Sequence, residues 1–373
     1  MKKIFIITGE LSGEIHAANL VKALKKKDKN LKFYAVGSEL LKKNGCEIVE
    51  DYKHISIIGF SEVISKYFII KKVFKKIYDF IDTQKPDLII TVDFPGFNLR
   101  VAKYAHKKNI KLIYFIPPQI WAWHYSRIKL IKKYFSLVIP ALPFEKDIYE
   151  KEGIPVKYFG HPILENINFN KNKKEFMSKY RIPDNKKIIA VLPGSRKQEL
   201  TANVDVIFDS MKLLNRKFRD IFFVIPTGKR IDYFKKFTEI PNVKIIKNHN
   251  YDILNIASAG IIKSGTSTLE AAVFKLPMTV VYKVSRLSFI LAKYFILKIK
   301  FVSLVNLIAD KEVVKELLQD DFTPENIFKE ISRILTDTIY RKKMVKELTS
   351  VKKNLGKLPI MSKIAAAVLK ILN

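Results

Sequence analysis

Cysteine is nearly absent from this sequence, since Cys46 is the only one in 373 residues. An intrachain disulfide is therefore excluded, and an oxidising compartment is not indicated. Long apolar runs are missing as well: no stretch reaches the roughly 18 uncharged apolar residues of a membrane-spanning helix. The apolar start of the chain is broken at Gly9 and Glu10, too early for a signal-peptide core. We therefore expect a cytoplasmic protein that does not cross a membrane.

Acidic residues are scarce relative to basic ones, with 36 Asp and Glu against 68 Lys and Arg and a formal net charge of +32. A field of this sign attracts nucleic acid, anionic lipid or phosphorylated substrates. A general enrichment of surface lysine is the alternative explanation for part of the excess. Hydrophobic residues make up 48% of the chain, which excludes a disordered protein, and the length favours two domains.

The common metal and nucleotide motifs are also missing. The sequence contains no HExxH, no Cys/His cluster, no Walker A loop and no acidic DxD tract near its glycine-containing turns. Patterns of RNP, helix-turn-helix or zinc-finger type are absent too, so we expect no nucleic-acid partner. We predict no cofactor and no metal. Charge on a leaving diphosphate would then be stabilised by side chains and helix N-termini.

The chain does contain a regular alternation of short apolar runs and longer amphipathic stretches. The runs are apolar on both faces, as buried parallel strands with crossover helices are. They cover residues 3–8, 33–36, 88–92, 111–116 and 137–140, then 187–193, 221–226, 243–246, 259–263 and 278–282. The Asn- and Lys-rich stretch 166–174 separates the two series as a linker. This pattern predicts an α/β protein with two Rossmann-like domains facing each other across a cleft.

Two turns of the first series carry candidate chemistry, because ligands of open parallel sheets bind at the carboxyl ends of strands. The turn 9–14 (GELSGE) has two glycines that permit close backbone approach, and Ser12 lies near the following helix start. A purely structural turn explains it equally well. The turn 93–98 (DFPGFN) places the Asp93 carboxylate at a strand end, where it suits general-base catalysis. Capping of the next helix is an equal alternative for Asp93.

A third turn, residues 117–124 (PPQIWAWH), contains both tryptophans of the chain. Core packing is one explanation, and stacking on a sugar or an interfacial role is the other. His124 and His161 are candidate polar contacts whose roles stay open.

Two turns of the second series resemble anion sites. The turn 192–196 (LPGSR) combines a glycine turn at a helix N-terminus with the fixed guanidinium of Arg196. The turn 264–270 (SGTSTLE) offers small hydroxylated residues for phosphate oxygens, and Glu270 one turn later can accept hydrogen bonds from ribose. A capping cluster with a favourable carboxylate is the alternative. Two such turns on one sheet edge favour a pocket for a diphosphate nucleotide.

Residues 62–81 form an amphipathic pattern with a broad apolar face and a lysine-rich face. Acidic residues occur only near its ends, which is typical of an interfacial helix on an anionic membrane. Packing as an ordinary core helix is the alternative. A second basic and aromatic stretch covers residues 284–305. The expected membrane contacts are Tyr67, Phe68, Ile69, Ile70, Lys71, Lys72 and Phe74.

Taken together, these turns resemble the lipid-A-disaccharide synthases over nearly the whole chain. The shared blocks, in order, are GELSGE (9–14), GFSEV (59–63), DFPGFN (93–98), QIWAW (119–123), LPFE (142–145), GHP (160–162), LPGSR (192–196), SGTSTLE (264–270), PMTVVYK (277–283) and VNLI (305–308). Two positions depart from the family pattern. Glu14 stands where the family usually has Asp, and 315–319 (KELLQ) lacks a preceding proline, so neither Glu14 nor Gln319 receives a role.

The resemblance implies a GT-B architecture. Residues 1–165 would form the acceptor- and membrane-facing domain, residues 166–345 the UDP-sugar domain, and residues 346–373 terminal helices that return to the first domain. The implied partners are UDP-diacylglucosamine, diacylglucosamine 1-phosphate and the anionic inner face of the inner membrane. Acyl-chain length, the exact acceptor contacts and the choice between monomer and homodimer stay open.

The resemblance further implies an inverting transfer that forms a β-1,6-linked disaccharide phosphate and releases UDP, with Asp93 as the base. The residues expected to bind substrate are Ser12, Gly13, Asn98, Gly194, Ser195, Arg196, Ser264, Gly265, Thr266, Ser267, Thr268, Glu270 and Asn306. The alternatives are another GT-B transferase that uses a UDP-N-acetylated sugar and a lipid acceptor, and a non-enzymatic basic RNA-binding protein.

Overall fold

The computed structural model describes residues 1–56, 63–122, 124–228, 231–283 and 300–373. The chain divides into two compact units, Met1–Glu165 together with Leu355–Asn373, and Asn166–Asn354. The division at residue 165 lies at the start of the expected linker. The terminal segment of the first unit begins at Leu355, later than the expected residue 346, because the preceding helix belongs to the second unit.

The first unit contains a parallel sheet whose strands alternate with helices. Its strands are β1 (Lys2–Ile7), β2 (Leu31–Gly37), β3 (Glu47–Asp51), β4 (Leu88–Val92), β5 (Lys111–Phe115) and β6 (Leu137–Ile139). Its helices in this part of the chain are α1 (Leu11–Lys27), α2 (Glu39–Lys43), α3 (Lys53–Ser56), α4 (Val63–Gln84), α5 (Pro95–Lys107), α6 (Arg127–Tyr134) and α7 (Glu145–Lys151), followed by a 3-10 helix at Pro162–Asn166.

The order β3-β2-β1-β4-β5-β6 makes β1 and β4 the central neighbours of this sheet. Chain connections leave these two strands toward opposite sides, so the crevice at their carboxyl ends is the switch point where such sheets bind ligands. Both strands are almost entirely buried, with apolar side chains packed on the two faces of the sheet. Their continuous apolar runs are thus explained by burial on both faces.

The second unit repeats the same plan. Its elements are α8 (Lys173–Lys179), β7 (Lys187–Leu192), α9 (Lys197–Lys217), β8 (Ile221–Thr227), a 3-10 helix at Ile231–Glu239, β9 (Val243–Lys247), α10 (Asn250–Ile256), β10 (Ala259–Lys263), α11 (Thr266–Val273), β11 (Met278–Tyr282), α12 (Leu304–Ala309), β12 (Lys315–Leu318), a 3-10 helix at Gln319–Asp321, α13 (Pro324–Thr336) and α14 (Thr338–Asn354). The strand order β12-β11-β10-β7-β8-β9 places the switch point between β7 and β10.

The last helix, α15 (Ile360–Leu372), belongs to the first unit and packs against α1. Its apolar side buries Ile364 and Val368 in the same core as the first-unit strands. Two lysines of the first-unit sheet also bind the carboxyl end of α15. Lys2 Nζ donates to the Leu372 carbonyl at 2.6 Å, and Lys111 Nζ donates to the Ile371 carbonyl at 2.6 Å. These cations satisfy carbonyls that end the helix and oppose its dipole.

Within the described ranges, no helix has both the length and the apolar character needed to span a membrane.

Candidate functional site

The Asp93 turn of the first unit lies at the switch point between β1 and β4. Asp93 and Phe94 both adopt left-handed backbone conformations, with φ values of 50° and 47°. The Asp93 N–H donates to the carbonyl of Ile116 at 3.1 Å, which ties the turn to the end of β5. The Phe94 ring lies over Gly9, where an added Cβ would be 2.1 Å from a ring carbon. Gly9 is therefore required, and the turns after β1 and β4 are in contact.

Asn98 holds the backbone of this turn. Its side-chain nitrogen donates to the carbonyl of Asp93 at 2.6 Å and to that of Val92 at 3.3 Å. Tyr114 donates its hydroxyl to the same Asp93 carbonyl at 3.0 Å. Asn98 is completely buried, and both its N–H groups serve the chain itself. We therefore assign the Asn98 side-chain nitrogen a structural role beneath Asp93, and the substrate contact expected for this residue stays a prediction.

The Asp93 carboxyl has an unusual acidity. Burial, and to a smaller extent the negative charge of Glu10, raise its pKa to about 6, although a hydrogen bond from the Phe94 N–H opposes the change. A carboxylate with this pKa is mostly ionised at neutral pH yet basic enough to accept a proton from a hydroxyl in a transition state. The helix α5 begins two residues later, at Pro95, and no side-chain hydrogen bond caps it. The capping alternative for Asp93 is thus not supported.

The turn between β1 and α1 has a largely structural set of contacts. Ser12 is exposed and donates its hydroxyl to the Glu10 carboxylate. Gly13 is buried against β4, and an added Cβ would be 3.7 Å from a Val92 methyl group. Glu14 is buried and accepts hydrogen bonds from the N–H groups of Ser38 at 2.6 Å and Leu41 at 3.2 Å. Glu14 therefore caps α2, which gives this carboxylate a structural function.

Trp121 is anchored by a buried carboxyl group. Its Nε1–H donates to Glu145 at 3.0 Å, and the Leu142 N–H donates to the other Glu145 oxygen at 3.0 Å. Burial raises the pKa of Glu145 to about 7 although these donors oppose the change. The indole N–H is thus used inside the protein, and Trp123 lies outside the described residues.

The two histidines of the sequence analysis have different environments. His124 is exposed and has a φ of 56°. His161 is buried, and its Nδ1 accepts a hydrogen bond from the Ile163 N–H at 3.1 Å. Burial and the nearby His16 lower the pKa of His161 to about 3, so this ring is neutral and packed at neutral pH.

The LPGSR turn of the second unit is organised by a residue that the sequence analysis missed, Glu199. Gly194 has a φ of 121°, and an added Cβ there would be 2.8 Å from a Glu199 carboxylate oxygen. That oxygen accepts hydrogen bonds from the N–H groups of Ser195 at 3.0 Å and Arg196 at 3.2 Å. Glu199 closes a capping box at the start of α9, so these two donors are used within the turn. The three-residue spacing from Arg196 to Glu199, typical of a capping box, was the signal in the sequence that could have identified Glu199.

Lys263 is the second residue that was missed. Its Nζ donates to the other Glu199 oxygen at 2.8 Å, and both side chains are about one-seventh exposed, at 14% and 15%. Burial by itself would raise the pKa of Glu199, but the hydrogen bonds from Lys263, Ser195 and Arg196 outweigh it and lower the pKa to about 2. The Arg196 guanidinium is 3.3 Å from the same carboxylate and 76% exposed. Three charged side chains therefore meet at the β7–β10 switch point.

The hydroxyl groups of the SGTSTLE turn mostly stabilise the turn itself. Ser267 donates to the Lys263 carbonyl at 3.0 Å, and Thr268 donates to the Gly265 carbonyl at 2.7 Å. Ser264 donates to the Val302 carbonyl at 3.3 Å, while Thr266 is exposed. The hydroxyl protons of Ser264, Ser267 and Thr268 are thus used within the protein. The donors that this turn presents to an anion are the backbone N–H groups at the start of α11.

Glu270 and Asn306 differ in how much hydrogen-bonding capacity they have left for a substrate. Glu270 is partly buried and accepts the Tyr251 hydroxyl at 3.0 Å, and burial raises its pKa. Its carboxylate keeps further acceptor capacity. Asn306 is completely buried and makes four hydrogen bonds, to the Val314 carbonyl, Glu316, and the N–H groups of Val313 and Val314. These bonds use the whole amide, so Asn306 holds a loop together and the expected substrate contact is not supported.

Helix α4 has a core side and an exposed side. Val73, Ile77 and Ile81 are buried, with exposed fractions of 5%, 0% and 1%. This side of the helix therefore packs as an ordinary core helix does, which was the alternative to membrane contact. Phe68 and Ile69 at the other end are 76% and 47% exposed. The exposed lysines of this helix are Lys71, Lys72, Lys75 and Lys76.

The remaining expected membrane contacts of α4 are placed as follows. Ile70 is partly buried, and Phe74 stacks on Phe97 with ring centroids 4.5 Å apart. The side chain of Tyr67 lies outside the described part of the chain, as do residues 284–299 of the second basic stretch. A cavity of about 620 Å³ lies beside the helix, lined by Phe68, Lys71, Lys72, Phe74, Lys75, Tyr78, Asp79 and Tyr104.

Comparison with protein families gives one match over residues 4–370, to the family described as lipid-A-disaccharide synthetase. Among curated proteins, lipid-A-disaccharide synthase 1 of Legionella pneumophila subsp. pneumophila (strain Philadelphia 1) is 38% identical over 359 residues. That similarity covers 95% of this chain and 93% of the relative. The similarity therefore extends over nearly the whole length of both proteins.

Solved structures resemble the chain over its full length at low identity. An S. aureus MnaA–UDP co-structure matches with a TM-score of 0.69 at 17% identity, covering 100% of this chain and 97% of that one. The calicheamicin glycosyltransferase CalG4 matches with a TM-score of 0.63 at 13% identity, covering 100% and 98%. These similarities establish the fold as GT-B type, with two α/β units.

Proposed function

The chain belongs to the lipid-A-disaccharide synthetase family, and from this premise we propose its substrates and mechanism. It is a glycosyltransferase, and we infer that it transfers 2,3-diacylglucosamine from the UDP derivative to the 6-hydroxyl of 2,3-diacylglucosamine 1-phosphate. The product is a β-1,6-linked disaccharide phosphate, and UDP is released. The reaction inverts the anomeric carbon and requires no metal.

The observation that carries the proposal is the partly buried Asp93 carboxyl at the β1–β4 switch point. Inversion in one displacement requires a base that takes the acceptor proton on the face opposite the leaving group. Asp93 has a pKa of about 6 through burial and the charge of Glu10, which matches that task near neutral pH. Asn98 and Tyr114 fix the backbone that carries it, so the carboxylate is pre-positioned.

The second unit supplies the donor site of this proposal. The β7–β10 switch point joins the Arg196 guanidinium to the N-termini of α9 and α11, all of which favour a negative charge. A departing UDP diphosphate is stabilised there by fixed donors, as oxyanions are in other enzymes. Glu270 has acceptor capacity for ribose hydroxyls. Ser12 and Gly13 belong to the acceptor side, beside Asp93.

We further propose that the exposed end of α4 contacts an anionic membrane surface. Phe68 and Ile69 present apolar area to solvent, and four exposed lysines lie on the same helix. Aromatic and aliphatic side chains enter the interface while lysines attract anionic headgroups. The protein would then act at the cytoplasmic face of the membrane that holds its acylated substrates.

Sugar transfer tests the proposed reaction. Purified protein is incubated with diacylglucosamine 1-phosphate and either UDP-diacylglucosamine or deacylated UDP-glucosamine, with and without EDTA. We expect disaccharide phosphate and UDP only with the acylated donor, unchanged by EDTA. Equal use of the deacylated donor, or transfer to a polyprenyl phosphate instead, would contradict the substrate assignment. Strict dependence on added Mg²⁺ would contradict the metal-independent mechanism.

Vesicle sedimentation tests the membrane contact. Phe68→Ser with Ile69→Ser should reduce binding to anionic vesicles while the Tm stays unchanged, because both side chains are exposed in the folded protein. The matched control on the same helix is Val73→Ser, which should lower the Tm because Val73 is buried. A lowered Tm in the first variant, or full vesicle binding, would refute the surface assignment.

A further inference from the structure

Lys263 is a nearly buried cation at the carboxyl end of a central strand. It is the last residue of β10, and the preceding residue Ile262 pairs in register with Leu192, the last residue of β7. Lys263 therefore stands beside the LPGSR turn and directly before the SGTSTLE turn. Its Nζ is 5.2 Å from the centre of the Tyr282 ring, at the end of the next strand.

The ammonium group has more hydrogen-bonding capacity than its one ion pair uses. Lys263 carries three N–H donors, and Glu199 accepts one of them at 2.8 Å. An added Cβ on Gly265 would be 3.9 Å from the same Nζ, so the ammonium lies beside the residue that precedes α11. An anion bound at the α11 N-terminus would lie within reach of the remaining donors.

The local charges also leave a net positive site. Glu199 carries one negative charge, and Lys263 and Arg196 carry one positive charge each. The Glu199 carboxylate is held on four sides by two backbone N–H groups, Lys263 and Arg196. Such a fixed carboxylate locates the ammonium as well as neutralising it. Burying the Lys263–Glu199 ion pair carries a desolvation penalty that well-packed apolar residues would not carry. This penalty favours a role for the pair in ligand binding over a role in stability alone.

We propose that Lys263 binds the diphosphate of the sugar-nucleotide donor as a second cation beside Arg196, with Glu199 as the residue that positions it. The inference rests on the proposed function, since it assigns a ligand contact within the same donor site. Arg196 is exposed and reaches the diphosphate from solvent, whereas Lys263 approaches it from the sheet. The two cations thereby differ in how strongly salt screens them.

Calorimetric titration with UDP and with uridine tests this assignment on the full chain. Lys263→Met should weaken UDP binding about 10- to 100-fold, as expected for loss of a charged hydrogen bond, and leave uridine affinity unchanged. Lys263→Arg should retain most of the UDP affinity. The matched control is Lys187→Met, which removes the same charge from an exposed pair with Asp220 at the opposite end of β7.

A second comparison removes the effect of an unpaired carboxylate. Lys263→Met leaves Glu199 without its nearest cation, so the double variant Lys263→Met with Glu199→Gln is compared with Glu199→Gln alone. The double variant should still bind UDP about 10-fold or more weaker, at an equal Tm. Equal UDP affinities in this pair, or equal losses for UDP and uridine, would overturn the role of Lys263. Failure of the wild-type chain to bind UDP at all would instead overturn the proposed donor site.

Discussion

Replacing Asp93 by asparagine separates catalysis from stability in one substitution. Asparagine keeps the size of the side chain and tolerates the left-handed backbone at this position, where φ is 50°. The amide cannot accept the proton of the acceptor hydroxyl. General-base catalysis contributes roughly 10²- to 10⁴-fold, so turnover should fall by about that factor. UDP affinity should not change, because the donor site lies in the other unit.

The same substitution should stabilise the protein. A carboxyl whose pKa is raised on folding resists ionisation in the folded state, so its destabilising effect grows as pH rises from the unfolded value through the folded value. For Asp93 this window runs from 3.8 to about 6, and the full effect is present at pH 7. At about 1.4 kcal/mol per pKa unit, the destabilisation reaches about 3 kcal/mol. Asp93→Asn removes this charge, so the Tm at pH 7 should rise by several degrees.

The assay is initial-rate sugar transfer across pH, with the Tm of both proteins recorded in the same buffers. Wild-type kcat/KM should rise with pH to a plateau, with an apparent pKa of about 6, and about a tenth of the plateau rate should remain at pH 5. The difference in Tm between variant and wild type should disappear toward pH 4. A variant that retains half the wild-type rate would remove Asp93 from the role of base. Lost activity together with a lowered Tm at pH 7 would show that Asp93 is structural.

Three further measurements probe the environment described above. Glu10→Gln should move the ascending limb of the pH profile to lower pH, since the Glu10 charge raises the pKa of Asp93; an unmoved limb would exclude this coupling. His16 and His161 have pKa values lowered by burial to about 4 and about 3, so the unfolded chain takes up protons first as pH falls below 6.5. Urea unfolding at pH 5 should show a loss of roughly 2 kcal/mol per histidine relative to pH 7, and His16→Gln should reduce that loss; equal pH dependence would contradict it. Asn306→Ala should lower the free energy of unfolding by about 2–4 kcal/mol through its four lost hydrogen bonds, and a change under 1 kcal/mol would contradict the loop role.

The central strands were predictable from sequence because burial on both faces leaves continuous apolar runs. The runs 88–92, 259–263 and 278–282 match β4, β10 and β11 residue for residue. Of the edge strands, β6 and β9 were predicted, whereas β3 and β12 were not. Their sequences, EIVED and KELL, carry charges because an edge strand exposes part of its surface, and such a pattern is indistinguishable from a loop or helix end.

The candidate site was predictable to the level of its turns, and less so to the level of side-chain roles. Asp93 was placed at its strand end by position alone, and the structure brings it to the switch point. In the structure the Asn98 nitrogen and the Asn306 amide bind groups of the chain itself, and such an amide looks the same in sequence as one that binds a ligand. Lys263 and Glu199 are far apart in sequence, and only the pairing of β7 with β10 brings them together.

The attachment of α15 to the first unit has a consequence for the order of folding during synthesis. Strand β1 leaves the ribosome before the second unit, yet the Lys2 ammonium donates to the carbonyl of Leu372 in α15, which is made after the second unit. The second unit consists of one uninterrupted segment and has its complete sequence earlier. Domains usually fold in the order in which they are made. Here the unit that is begun before the other is completed after it, so a nascent chain carries an unfinished apolar surface beside α1 until α15 has been synthesised.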